Sequence, residues 1–372
     1  LKSKLSPGEK SKIYFPQLDS IRGISFIAIF LFHTLRINYG VTFLGDFTQY
    51  LFANLPLAID VFFILSSFLL TYLALNEYQK RGNFSFQNYF TRRILRIWPL
   101  YYFILLLAFI LFPVVASLLH YKMTLPEPVY YIFFIANFYT INHVFFLRLL
   151  WTISVEEQFY LLWGFCLRFF HKHLYKIIFI LIFVSVVFSI YSTFTQSASY
   201  FNSLTYLFDF GCGALAALLT FKNKFIIACF RNLAGFKTIF YYCYLPFHFI
   251  FFYTLNKHSA GISNDLVALA NRYLFIIYIG LFIIEQMINI RRTKILERSR
   301  FLIFTGKISY GLYCYHGISI MFLNLLVEHF NLGISNWIMV LISFALNYFV
   351  AIISYFYLES PFLKLKAKWR RI

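Results

Sequence analysis

Long apolar runs, broken by short polar or basic clusters, set the pattern of this chain. Ten stretches approach the roughly 20 mostly apolar residues that a bilayer-spanning helix needs. They are 20–38, 57–76, 98–119, 150–170, 175–194, 202–221, 239–255, 268–289, 304–326 and 337–358. A further stretch, 128–141, is apolar but short, and reads as re-entrant or interfacial. No internal repeat is visible, and no segment between spans is long enough to be a soluble domain. The expected fold is all-α: a polytopic integral membrane protein of about ten transmembrane helices, both termini cytoplasmic. The transmembrane domain would cover 19–360, after a cytoplasmic lead-in at 1–18 and before a basic cytoplasmic tail at 361–372. The lead-in does not read as a cleavable signal, because the apolar run behind it carries Arg22 and His33.

Composition excludes a soluble globule. Of the 372 residues 61% are hydrophobic and 13% charged, with a mean hydropathy of +0.71. Soluble chains sit nearer half apolar and a quarter charged. The net charge of +19 comes from 33 Lys+Arg against 14 Asp+Glu. In a soluble chain that excess would point to nucleic acid. Here the basic residues cluster between apolar runs, so the excess is topological and no nucleic-acid partner is expected. With a cytoplasmic N-terminus and alternating spans, only Arg36, Lys122, Arg148, Lys257 and Arg272 of the 33 fall outside. Counting 128–141 as a span would reverse every later loop and destroy that asymmetry. The five cysteines are scattered through apolar stretches without metal-ligand spacing, and read as buried thiols.

Ionisable side chains within spans are costly and tend to mark function. Arg22 and His33 are eleven residues apart, three helical turns, so they share a face about 16 Å apart along the axis. Either could instead be satisfied by neighbouring helices. Asp60 and the pair Glu156 and Glu157 lie at depths like that of His33. A carboxylate there could orient the imidazole and raise its basicity. Glu156 and Glu157 point about 100° apart, so one of them reaches a shared cavity. Asp60 could equally cap its own helix. Arg92, Arg93 and Arg96 form a basic cluster before Trp98 and Pro99, the latter expected to open the next helix. Arg93 and Arg96 share a helical face, which suits phosphate as well as the positive-inside rule. Asp209 sits beside Gly211 and Gly213, which permit close helix approach. His316 lies mid-span; so does His248, read as structural.

Six elements then combine: LDSIRGISFIAIFLFH, IDVFFILSSFLL, TRRILRIWPLYY, WTISVEEQFYLLW, GKISYGLYCYHG and YLESPF. In this order and spacing the chain resembles the acyltransferase 3 family of membrane-integral acyltransferases over nearly its whole length. The resemblance implies that His33 is essential for acyl transfer and that Arg22 shares its cavity. It implies that Arg93 and Arg96 engage an acyl-CoA donor, with Arg92 beside them. Glu156 or Glu157 matches the family's acidic element, and Tyr313 and His316 match a late Tyr-x-x-His element. The implied activity moves an acetyl or other short acyl group from cytoplasmic acyl-CoA to a hydroxyl of a cell-surface saccharide or glycoconjugate. Acyl-CoA is then a donor substrate, no cofactor is held permanently, and the expected location is a bacterial cell membrane. His33 would act as a base or carry the acyl group itself. From the polar residues alone, a transporter or flippase with an Arg–His–carboxylate proton relay stays open. Two departures stand out. The family's L-S-G-F reads Leu65-Ser66-Ser67-Phe68, and no Arg occurs between Tyr191 and Asp209, where one often precedes the acidic residue. Some members carry a C-terminal esterase-like domain; none is expected within these 372 residues.

Overall fold

The computed structural model describes residues 14–39, 45–118, 125–139, 144–197, 199–233, 236–288 and 294–368. Ten long helices carry the architecture: α1 (Pro16–Tyr39), α2 (Leu57–Arg81), α3 (Phe86–Leu106), α4 (Trp151–Phe169), α5 (Leu174–Thr195), α6 (Leu207–Lys222), α7 (Phe236–His258), α8 (Ile262–Ile288), α9 (Ser309–His329) and α10 (Asn336–Ser354). No strand occurs among the described residues. Helices satisfy their own peptide groups, which lipid demands. Among the described residues nine helical stretches are long and apolar enough to cross a membrane. The expected span at 150–170 is present as α4, 19 residues long. Glu156, Glu157 and Arg168 fall within its 19 residues, and it is not among the nine. Many long apolar side chains of α5 and α7 stay exposed, including Phe183, Phe194, Phe240 and Phe247. That outward display suits lipid, and the protein is a multi-pass membrane protein.

Of the short apolar stretch 128–141, residues 140–141 lie outside the described ones, and 128–139 is not one continuous helix. It forms a short helix, Pro128–Ile132, and a single 3-10 turn, Ala136–Phe138. Side chains of α3 and α4 satisfy its open backbone. Tyr101 and Tyr102 donate to the carbonyls of Tyr131 and Ile132 at 2.8 and 3.0 Å, and Gln158 Nε2 donates to that of Phe134 at 2.7 Å. Irregular backbone at membrane depth is tolerated where protein covers it in this way.

Two helix starts differ from expectation. Pro99 does not open a helix but lies inside α3, which begins at Phe86. Ser85 caps that start, its hydroxyl accepting from Asn88 N at 3.3 Å, so the arginine cluster is already helical. Likewise the expected span 304–326 is divided: Arg300–Lys307 forms its own helix before α9. The division serves packing. Gly306 sits so close to α1 that a Cβ there would collide with the Asp19 backbone, and a Cβ on Gly23 would meet Leu302 O at 2.6 Å. α1 begins at Pro16, inside the expected lead-in, whose residues 1–13 lie outside the described ones. Of the expected tail, 361–368 continue a helix, Ser360–Lys368, and 369–372 lie outside the described residues.

Candidate active site

The glycine crossing presses α1 into the bundle, and Arg22 is buried there, 9% exposed. Its Nη1 stands 3.5 Å from Asp19 Oδ1 one turn earlier. A small internal cavity of about 70 Å³ is lined by Arg22, Arg93, Arg96, Glu156, Tyr160 and Tyr310, among others. Arg93 lies over the Tyr160 ring, 5.5 Å from its centroid. Three guanidiniums against one carboxylate make this a cationic chamber inside a low-dielectric bundle, where such charges act strongly. Arg92 leaves the group: its Nη2 lies 3.5 Å from Glu77 Oε2. Glu77 also accepts from Ser85 N at 3.1 Å, so Arg92 ties the turn between α2 and α3.

Two larger cavities flank the chamber, each of about 680 Å³. The one towards the start of α1 shares Arg22, Arg96 and Tyr310 with it, and adds Asp19, Lys307 and Glu359. The one towards the end of α1 shares Ile59 and Tyr313, and contains His33. The three adjoin in series, with Arg22 in the first two and His33 in the last. Arg22 and His33, three turns apart on α1, therefore line cavities of one adjoining series.

The neighbours of His33 are aromatic rings. Phe32, Phe145 and His316 have centroids 5.3, 5.6 and 5.2 Å from it. His316 is fully buried. Its Nδ1 meets the carbonyl of Tyr313 one turn earlier. A carbonyl only accepts, so Nδ1 carries a proton, and in the neutral ring Nε2 is the acceptor. That Nε2 has no hydrogen-bond partner among the described residues. The Tyr313 hydroxyl donates to Leu149 O at 2.9 Å and accepts from Thr152 Oγ1 at 2.8 Å. It is thereby fixed where the chamber meets the cavity of His33.

The carboxylates expected to orient His33 are engaged elsewhere. Glu156 accepts from Ser66 Oγ at 2.8 Å and faces the chamber. Glu157 accepts from Trp98 Nε1 at 3.2 Å and is not in the chamber wall. Asp60 is held by Arg272, whose Nε and Nη2 reach Asp60 Oδ1 at 3.3 and 3.0 Å. Arg272 also bonds Asp209. The cation for Asp209, missing from its own span, comes from α8 instead. Ser66, Tyr160, Tyr310 and Arg272 were not singled out from sequence. Ser66, Tyr160 and Tyr310 carried a signal in their places in IDVFFILSSFLL, WTISVEEQFYLLW and GKISYGLYCYHG, and Arg272 lies in none of the six elements. His248, buried between Tyr244 and Asn271, fits its structural reading.

Known proteins similar to this chain are acetyl-transferring enzymes by name. The O-acetyltransferase OatA of Staphylococcus aureus is 25% identical over 94% of this chain and 57% of its own length. The peptidoglycan O-acetyltransferase OatA of Listeria monocytogenes is 26% identical over 163 residues, 41% of this chain and 24% of the relative. The chain thus spans less than two thirds of the length of these relatives. No solved structure matches it. The transporter reading gives way to an enzyme family. Residues 15–356 match the acyltransferase domain, and the chain belongs to the acyltransferase 3 family.

Proposed function

We propose that the protein is an O-acetyltransferase that moves an acetyl group from cytoplasmic acetyl-CoA to a hydroxyl of a cell-wall saccharide across the membrane. The observation that carries this reading is the series of three adjoining cavities, with guanidiniums at one end and His33 at the other. Arg93 and Arg96 would meet the nucleotide phosphates, where charge-assisted contacts are strong. The pantetheine arm would pass Arg22 towards Tyr313. His33 would take the proton of the acceptor hydroxyl as its oxygen attacks the thioester carbon; the carbon–sulfur bond breaks and CoA leaves as thiolate. His316 would stand beside it, its Nδ1 bound to the Tyr313 carbonyl. The chemistry needs no cofactor beyond the donor. The names of the relatives support acetyl as the group and peptidoglycan as a candidate acceptor.

Mass spectrometry of cell-wall fragments from cells with and without the protein tests the reading. Loss of an acetyl increment in its absence is expected. Unchanged acetylation, together with no CoA release from acetyl-CoA by the purified protein, overturns it.

A further inference from the structure

A second cavity lies beside that of His33 at the same end of the bundle. Its volume is about 570 Å³, within the roughly 300–1,000 Å³ typical of small-molecule sites. Ala53, Pro56, Ile59 and Tyr200 line both cavities, so the two share a wall. Their chemistry differs. Around His33 the wall is mainly aromatic. The second cavity instead offers Ser192, Thr193 and Gln196 from the end of α5, Asp265 from the start of α8, and the Asp60–Arg272 pair.

We infer that this second cavity binds the acceptor as a saccharide unit and presents one of its hydroxyls across the shared wall to His33. The inference rests on the acetyl-transfer reading. A sugar carries many hydroxyls that both donate and accept, and faces of C–H groups. Hydroxyl, amide, carboxylate and guanidinium groups match the first, and the rings of Tyr200 and Tyr206 match the second. The charged residues of the lining are Asp60, Asp265 and Arg272. That acidic excess disfavours the polyphosphate of the donor and leaves it to the arginine chamber. The floor is also rigid. Arg272 is fixed by Asp60, Asp209 and the carbonyl of Thr205, and its guanidinium lies over Tyr206 at 5.0 Å. A polar site held by such partners is set before its ligand arrives.

The test uses Thr193→Cys and, separately, Asp265→Cys in an otherwise intact chain whose five cysteines are replaced. Labelling of the purified protein in detergent by a water-soluble thiol reagent is timed with and without peptide-free peptidoglycan glycan fragments at millimolar concentration. Acetyl transfer to the same fragments is measured in parallel on the parent. The glycan should slow labelling at one or both positions by about tenfold, as for a site ~90% occupied. Acetyl-CoA should not, and Asn83→Cys at the other end should be unaffected by glycan. Unslowed labelling at both positions while the parent acetylates the glycan overturns the inference and leaves the acetyl-transfer reading standing. Slowed labelling without any transfer keeps the saccharide site and overturns that reading. Neither effect overturns both.

Discussion

At the residue scale, His33 and the arginine pair carry the sharpest expectations. His33→Ala should lower acetyl transfer by about 10²–10⁴ through loss of general base catalysis, with insertion and folding retained. Transfer within a few-fold of the parent by a well-expressed variant would remove His33 from the chemistry. Arg93→Ala and Arg96→Ala should each weaken donor affinity by roughly 10- to 150-fold, the value of one charge-assisted hydrogen bond. Lys at either position should restore this only in part, since the planar fork is lost. A purely topological role predicts full rescue by Lys, so the acetyl-CoA dependence of the Lys variants separates the two. Arg92, paired with Glu77, should show no such donor effect. The eleven-residue spacing of Arg22 and His33 is a property of one helix and was legible. The division of labour between Glu156 and Glu157, or between Arg92 and Arg93, depends on which neighbouring helix supplies Ser66, Trp98 or Glu77. Spacing within one helix contains none of those.

At the element scale, the fold depends on close helix crossings. α6 packs along α2, and Gly213 meets α2 so tightly that a Cβ would collide with Ser67 Oγ and Ile64 O. The glycine absent from Leu65-Ser66-Ser67-Phe68 is therefore balanced by one on the partner helix. Gly213→Ala should destabilise the protein by about 1–3 kcal/mol, the usual cost of overpacking, read as a lower melting temperature in detergent. Adding Ser67→Gly should recover part of the loss by removing one of the two obstacles. No recovery would mean that the backbone of Ile64 sets the limit. α2 and α6 are also joined through α8 by Arg272, which is half-buried and bonds the buried Asp60 and Asp209. Arg272→Leu leaves two carboxylates uncompensated and should cost about 3–5 kcal/mol. Thermal unfolding of the purified variant checks this. A melting temperature equal to the parent's would show that the triad does not hold α2, α6 and α8 together.

At the scale of the whole molecule the mechanism depends on sidedness. The cavity with Arg96 and Lys307 should open to the cytoplasm and that of His33 to the outside. Asn83 and Ser263 are both exposed and lie at opposite ends of this scheme. In a cysteine-free background, Asn83→Cys should resist an impermeant thiol reagent on intact cells while Ser263→Cys is labelled. The reverse pattern would put the arginine chamber's mouth outside and end the transmembrane scheme. By itself the sequence determined the membrane class, the approximate places of most spans, the short, interrupted character of 128–139 and the family. Each of these follows from local hydropathy, charge or motif order, which one helix at a time can express. Only the tertiary structure decided which polar groups meet: His33 with His316, Glu156 with Ser66, and Asp60 with Arg272 rather than with the imidazole. Those pairs join residues tens to hundreds of positions apart. They form because in lipid a polar side chain must find its partner on another helix, and helix rotation and crossing, absent from any linear pattern, select that partner.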